Sequence, residues 1–230
     1  MALSPLIFRF GASVYDWMTA HEHWLGHNAG LLAHVPASDG PRRILDLGCG
    51  PGRSSLALAA AARAGDQVIG LDLVEPMLRR ALLADGARRC AWIRGDAHHL
   101  PIRSGCIDAA TAHSFLYLLP DRAAALAEIR RVLRPGGVLA LLEPSHQQLP
   151  EALRSVAQTL RRSGPRLAFT MACWRIAARA SGAFGAGDLV RTLAAAGFEE
   201  ARATPTLDGL GWIAVARSPT RVSHGEALRS

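Results

Sequence analysis

Three aspartates, each within or just after a short apolar run, are the residues of this chain best suited to do chemistry. Asp46 lies within the run Ile44–Leu47, Asp72 closes Val68–Leu71, and Asp96 follows Ala91–Arg94. Carboxylates only accept hydrogen bonds when ionised, so they suit hydroxyl and amino groups and repel phosphates. Glycines at 48, 50 and 52 follow Asp46 and allow a tight turn and close ligand approach, ahead of a helix whose first N–H groups are unpaired. The pattern predicts a nucleoside pocket for an uncharged ribose and a cationic amino acid.

A second set of residues could supply a base near that pocket. His113 and Glu143 are predicted at the carboxyl edge of the fourth and fifth strands, where ligands bind in such sheets. Tyr15, His21 and His23 lie in the N-terminal segment and are further candidates. No spacing singles one out; His113 ranks first because a histidine accepts a proton near neutral pH. The zinc pattern H-E-x-x-H fails because Leu25 stands where the second histidine is needed, so we expect no metal site.

Strands that alternate with helices must position these side chains. Five apolar runs alternate with helical segments, and Glu200–Thr204 and Gly211–Ala216 follow as an antiparallel pair. This alternation predicts one doubly wound α/β domain over residues 1–217. Residues 1–35 form a helical lid, 42–143 the binding core, and 146–185 a helical cap broken into two helices at Ser163-Gly164-Pro165, while 218–230 is a flexible tail.

The motifs resemble those of class I S-adenosylmethionine (AdoMet) methyltransferases of the small-molecule branch, which includes quinone-biosynthesis enzymes. The matching stretches are D-L-G-C-G-P-G from Asp46, the acidic Asp72, G-D-A-x-x-L-P from Gly95, and L-R-P-G-G-x-L from Leu133. The resemblance implies a Rossmann-like seven-stranded sheet of order 3-2-1-4-5-7-6 with strand 7 antiparallel. It also implies AdoMet as cofactor, with Asp96 on the adenine amino group and Tyr15 against the cofactor. The cofactor-binding residues that it implies are Tyr15, Asp46, Gly48, Cys49, Gly50, Asp72, Leu73, Met77, Asp96, Ala97 and His113. His98 and His99 fall at variable positions of the third motif and are interpreted as surface residues.

Composition limits the partners. The formal charge is +7 over 230 residues, and every basic residue is arginine, so a lysine Schiff base is excluded. The arginines are scattered in pairs, which favours solvated helix faces over a nucleic-acid surface. Four separate cysteines and the lack of a signal peptide or spanning run indicate a cytoplasmic location. Peripheral membrane contact and the oligomeric state stay open.

The methyl acceptor is the least determined feature. The apolar residues of the lid and cap favour a small, rather apolar acceptor: a lipid, quinone, polyketide or similar metabolite methylated on O, C or N. Phospholipid-headgroup N-methylation at a membrane surface is one alternative. A non-catalytic AdoMet-binding regulatory module and a nicotinamide oxidoreductase are alternatives of other classes.

Overall fold

The computed structural model describes residues 13–146 and 149–220, and its centre is one seven-stranded sheet. The strand order is β3-β2-β1-β4-β5-β7-β6, in which β7 pairs antiparallel with both neighbours and the other pairs are parallel. The doubly wound α/β fold and its predicted strand order are therefore confirmed. The strands are β1 (Arg43–Leu47), β2 (Gln67–Asp72), β3 (Cys90–Arg94), β4 (Ile107–His113), β5 (Leu133–Pro144), β6 (Glu199–Thr206) and β7 (Gly211–Arg217).

Eight α-helices flank this sheet in the described part of the chain. Their bounds are α1 (residues 13–19), α2 (Glu22–Gly30), α3 (Arg53–Ala61), α4 (Glu75–Ala84), α5 (Arg122–Val132), α6 (Leu149–Ser163), α7 (Pro165–Ser181) and α8 (Ala186–Ala195). None of the described helices is long and apolar enough to cross a bilayer.

The sheet is buried on both faces, as its continuous apolar strands require. On one face, Leu126 of α5 and Leu189 of α8 belong to the same core cluster as Leu139 and Leu141 of β5. On the other face, side chains of α2 and α7 pack with the alternate residues of β5. Because both faces are covered, a ligand can reach the sheet only at a strand end.

Parallel pairing brings the chemistry-bearing residues to one edge. Asp46 of β1 is in register with Gly70 of β2 and with Thr111 of β4, so the carboxyl ends of these strands meet. Asp72, the last residue of β2, lies one strand away from the glycine turn that follows β1. The register therefore places the glycines, Asp72 and the residues after β3 and β4 around one crevice.

Several predicted boundaries shift for identifiable reasons. The fifth strand begins at Leu133, although its apolar run, which predicts the strand, starts only at Val138, because Leu133 pairs with Ile107 and a register shift after Ile107 accommodates the intervening turn. The chain stays paired beyond 217, since Ser218 N donates to Gly137 O and Gly136 N donates to Ser218 O. The first 12 residues of the helical lid predicted over 1–35 lie outside the described residues, as do 221–230 of the predicted tail.

The predicted break in the cap is confirmed at Gly164. This residue has φ +85°, a left-handed conformation that suits glycine, and it separates α6 from α7. The two helices pack on each other, and we call them the α6–α7 pair.

Candidate cofactor site

The turn after β1 uses its glycines for distinct steric reasons. Gly48, Gly50 and Gly52 all have positive φ, at +62°, +54° and +82°. A Cβ on Gly48 would lie 2.6 Å from Phe115 Cδ2, and one on Gly52 would lie 2.7 Å from the Ala81 Cβ. Side chains at these positions would separate the turn from the loop after β4 and from α4, so the glycines are needed for close packing as well as for the turn.

Asp72 holds the two loops of the crevice together. Its Oδ2 accepts a hydrogen bond from Gly50 N at 2.8 Å, and its Oδ1 accepts one from Val74 N at 2.7 Å. Burial raises the pKa of this carboxyl, and the backbone hydrogen bonds oppose that rise. Each oxygen keeps a lone pair, so the carboxylate can still accept from a ligand hydroxyl.

A cavity of about 470 Å³ opens beside Asp72 at the carboxyl edge of the sheet. This volume is suited to a small organic ligand. Eight of the predicted cofactor residues line it: Tyr15, Gly48, Gly50, Asp72, Leu73, Met77, Asp96 and Ala97. Further lining comes from the 114–120 loop, including Ser114 and Phe115, which the sequence patterns did not single out.

Asp46 lies beneath the turn instead of on the cavity wall. Its Oδ2 accepts from Ser54 Oγ at 2.7 Å and from Ser55 Oγ at 2.6 Å, and its Oδ1 accepts from Thr111 Oγ1 at 3.2 Å. Burial raises its pKa to about 6, while the hydroxyl hydrogen bonds oppose the rise. Asp46 therefore ties the glycine turn to α3 and β4, and its direct contact with the cofactor stays a prediction.

Cys49 is also placed away from the cavity wall. Its side chain is buried, and its backbone N donates to Leu71 O at 3.0 Å. This hydrogen bond ties the glycine turn to β2. Burial raises the pKa of the thiol, which keeps it protonated and unreactive.

Asp96 has a histidine partner that the sequence interpretation missed. His98 donates its backbone N to Asp96 Oδ1 at 2.9 Å, and its ring Nδ1 lies 2.7 Å from the same oxygen. These bonds lower the pKa of Asp96. His98 lines the cavity and only 19% of its side chain is exposed, so it is not the surface residue that we expected. The Asp-x-His spacing, typical of an Asx-turn, was the available signal.

Glu143 is fully buried and its oxygens face backbone donors. It accepts from Phe115 N at 3.0 Å, Leu116 N at 2.8 Å and Tyr117 N at 3.2 Å. Burial raises its pKa to about 7, opposed by these three hydrogen bonds. The geometry makes Glu143 a positioning residue for the 114–120 loop and leaves it poorly placed as the base that we considered.

His113 ends β4 as predicted but faces a cluster of aromatic rings. Its ring centroid is 5.8 Å from that of Trp24, which in turn is 5.1 Å from Trp174. Burial lowers the pKa of His113 to about 4, so the imidazole is neutral at physiological pH and a weak base. His113 is not among the residues that line the cavity, although its neighbour Ser114 is.

Several buried polar atoms of this cluster have no hydrogen-bond partner in the described structure. They are His113 Nδ1, Ser114 Oγ, Trp24 Nε1, Trp174 Nε1 and the amide atoms of Asn28. An unpaired buried donor or acceptor costs about 1–3 kcal/mol, so a cluster of them is unusual unless a ligand or water pairs with it. Trp24 and Asn28 are four residues apart on α2, a spacing that could have suggested a shared face.

The N-terminal segment covers the opposite side of the cavity. Tyr15 lines it, and its Cε1 would lie 3.5 Å from a Cβ on Gly50. Asp16 anchors this segment, because its Oδ1 accepts from Arg53 Nε at 2.8 Å. Burial raises the pKa of Tyr15, so its hydroxyl stays protonated.

The remaining histidine candidates lie at the start of α2. His21 directly precedes this helix, where its backbone carbonyl accepts from Leu25 N, and His23 lies in the first turn. His21 is not among the residues that line the cavity, and the side chain of His23 lies outside the part of the chain that the structure describes. Within residues 13–146 and 149–220, no cluster of three or more His, Cys, Asp or Glu side chains could hold a metal ion.

Comparison with known proteins agrees with this geometry. Residues 45–141 match the family model described as "Methyltransferase domain". This match identifies residues 45–141 as a methyltransferase domain. It is 39% identical over 134 residues to demethylmenaquinone methyltransferase of Lactiplantibacillus plantarum, covering 56% of this chain and 55% of the relative. It is 38% identical over 127 residues to trans-aconitate 2-methyltransferase of Azoarcus sp. (strain BH72), covering 53% and 48%.

The chain thus spans about half the length of the curated relatives it matches. Among solved structures, Haemonchus contortus phosphoethanolamine N-methyltransferase 2 superposes with a TM-score of 0.68 at 17% identity, covering 94% of this chain and 60% of the other. At that identity the likeness concerns the fold. That structure contains S-adenosylhomocysteine.

Proposed function

We propose that the chain transfers the methyl group of AdoMet to a small, rather apolar acceptor. The observation that carries this proposal is the cavity in which Asp72, Asp96 and the glycine turn converge beneath Tyr15. The two relatives described above carry methyltransferase names, which supports the same reaction class.

The cavity residues suit the parts of AdoMet in order. Asp72 would accept from the ribose hydroxyls, since it lies at the tip of β2. Asp96 would accept from the adenine amino group, with Met77 and Ala97 against the ring and Leu73 at its side. The backbone of Gly48 and Gly50 leaves room for the methionine part.

The chain contributes mainly alignment and exclusion of water. A bound sulfonium supplies an electrophilic methyl group: the acceptor–carbon bond forms as the S–CH₃ bond breaks, and the acceptor releases a proton to solvent. Phe115 and Tyr15 close the cavity around the reacting centre. Positioning of two reactants is worth several kcal/mol of barrier, so a strong base is not required.

We place the acceptor beside Ser114, the cavity residue that directly follows His113. The unpaired Ser114 hydroxyl can donate to an oxygen of the acceptor, and the ring of Phe115 suits a flat apolar body. These groups support a hydroxylated or keto-bearing ring over a tricarboxylate such as trans-aconitate. The side chain of His113, neutral at pH 7, would act there by hydrogen bonding.

Calorimetry and turnover on one acceptor panel test this proposal. We expect AdoMet to bind and a demethylated naphthoquinol to be methylated faster than trans-aconitate or phosphatidylethanolamine. Turnover on phosphatidylethanolamine alone would favour the phospholipid alternative. AdoMet binding without turnover on any acceptor would favour a regulatory module, and binding of NAD in place of AdoMet would contradict the assignment.

A histidine variant tests the placement of the acceptor. His113→Ala should lower turnover at least tenfold, about 1.4 kcal/mol of barrier, and leave the AdoMet dissociation constant nearly unchanged. The matched control is His99→Ala, at an exposed histidine that follows His98 in sequence. Unchanged turnover in His113→Ala would remove His113 from the reaction.

A further inference from the structure

The α6–α7 pair exposes apolar side chains where a two-helix layer would normally bury them. Four large side chains are half or more exposed: Leu153 at 61%, Leu160 at 50%, Phe169 at 52% and Ile176 at 69%. Within each helix the two positions are seven residues apart, so they lie on one face. We call the solvent-exposed side of each helix, marked by these four apolar residues, the outer face of the pair.

The buried side of α6 makes this orientation unusual. Ser155 and Thr159 are buried there, with Ser155 Oγ donating to Asp208 O and Thr159 Oγ1 donating to Ser155 O. The helix thus turns hydroxyls towards the protein and leucines towards solvent. Contiguous exposed apolar surface of this kind marks an interaction site.

Charge distinguishes between the three possible binding partners of the outer face: a second copy, residues 1–12 and a lipid surface. Residues 149–181 contain six arginines and one acidic residue, Glu151, and since Arg175 is buried the basic side chains outside the core are Arg154, Arg161, Arg162, Arg166 and Arg179. A second copy docked face to face would bring like charges together. Residues 1–12 contain one arginine and no acid, so they offer no complementary charge. An anionic lipid surface meets both the apolar side chains and the arginines.

The outer face continues onto α1, the helix that also carries Tyr15. Trp17 of α1 is 50% exposed, and its ring centroid is 6.5 Å from that of Phe169. The Arg166 guanidinium lies over the Trp17 ring at 4.9 Å. Two residues before Trp17, Tyr15 lines the cavity. An aromatic ring with a basic neighbour at this position is typical of a membrane–water interface.

We propose that the outer face of the α6–α7 pair, together with Trp17, docks on an anionic lipid bilayer. The contact is peripheral: apolar side chains enter the headgroup region while arginines meet lipid phosphates. It deepens the proposed function, because a lipophilic acceptor dissolved in the bilayer would then reach the cavity beside Tyr15 without crossing water.

Co-sedimentation of the full chain with vesicles tests this surface. We expect binding to phosphatidylglycerol–phosphatidylcholine vesicles, little binding to pure phosphatidylcholine vesicles, and a steep loss of binding as salt is added. The double variant Phe169→Ser/Ile176→Ser should lower the partition coefficient about tenfold or more. Its matched control is Leu82→Ser/Leu83→Ser, at two exposed leucines of α4.

A second pair of variants tests the charge. Arg161→Gln/Arg179→Gln should lower partitioning about 30-fold, since each basic residue near an anionic surface contributes about 1 kcal/mol. Arg88→Gln/Arg89→Gln removes the same charge from the opposite part of the chain and should change partitioning much less. Equal losses of partitioning in the two double variants would show that only the net charge matters, which would contradict the proposed docking surface.

Other occupants would give different results. A dimer in sedimentation equilibrium that Phe169→Ser/Ile176→Ser dissociates would assign the face to a second copy and overturn the proposal. Vesicle binding that appears only when residues 1–12 are deleted would assign it to that segment. AdoMet affinity, measured on the same variants, should not change, so failure of lipid binding stays distinct from failure of the proposed methyl transfer.

Discussion

At the carboxyl end of the sheet the buried aspartates pair with neutral donors, whereas at the amino end the aspartates pair with arginines. At the carboxyl end, Asp46 accepts from three hydroxyls and Asp72 from two backbone N–H groups, and burial raises both pKa values. At the amino end, Asp66 accepts from the Arg42 guanidinium, which lowers its pKa to about 2. Asp108 also lies at the amino end, and its Oδ1 is 2.8 Å from Arg134 Nε.

This difference assigns ligand binding to the carboxyl end of the sheet and stability of the fold to the amino end. An ion pair at the amino end neutralises its own charge and stabilises the fold. A carboxylate that accepts from neutral donors keeps its negative charge available to a ligand, at a cost in burial. The carboxyl end therefore favours a sulfonium nucleoside and disfavours phosphates, whereas the amino end is structural.

Removing the negative charge of Asp72 should have the largest effect. Asp72→Asn should weaken AdoMet binding about 100-fold, or about 2.7 kcal/mol, because it removes an acceptor oxygen and the charge. Calorimetry measures the affinity, and thermal unfolding checks that the fold persists. Unchanged affinity would mean that the cofactor does not contact β2.

The matching change at the amino end should affect stability and spare binding. Asp66→Asn should lower the free energy of unfolding by about 2 kcal/mol at pH 7, as expected from a pKa held near 2. The pKa of Asp66 is depressed in the folded state, so its contribution is present above about pH 4 and is lost as the pH falls towards 2. Denaturant unfolding at several pH values measures this; a change in AdoMet affinity would break the separation.

Glu143 should show the opposite pH dependence. Its pKa is raised to about 7, so the folded state holds a proton that the unfolded state has released above about pH 4.5. Wild-type stability relative to Glu143→Gln should therefore fall by about 1–2 kcal/mol as the pH rises from 4.5 to 7. A pH-independent difference in unfolding free energy would show that Glu143 stays ionised.

Asp96 should give the smallest effect, because 45% of its side chain is exposed. Asp96→Asn should weaken AdoMet binding about fivefold, near 1 kcal/mol, since solvent competes for the adenine amino group. His98→Ala should act in the same direction by releasing Asp96. A loss as large as that of Asp72→Asn would contradict the ranking.

The sheet is predictable from the sequence because each strand is marked by residues within it and directly next to it. Apolar runs bounded by glycine and aspartate mark β1 and β2, and parallel strands necessarily bring Asp72 to the glycine turn. The role of Asp46 was not predictable in the same way. Its partners Ser54 and Ser55 belong to the next helix and Thr111 to a distant strand, so only the fold shows that its oxygens are occupied.

The clusters formed over long sequence distances were also missed. Trp24, His113 and Trp174 come from three separate elements, and no motif joins them. The periodicity of α6 predicts a helix with an apolar stripe, but not that Leu153 and Leu160 face outward. Which face packs depends on the neighbouring elements, which the pattern of one helix does not contain.

Paired calorimetric titrations of the wild-type chain with AdoMet and with NAD test the central claim most directly. The account predicts AdoMet binding in the micromolar range, weakened by Asp72→Asn, and no measurable heat with NAD. Tighter binding of the dinucleotide, or binding of AdoMet that Asp72→Asn leaves untouched, would contradict the claim that unneutralised carboxylates at the carboxyl end of the sheet choose the ligand.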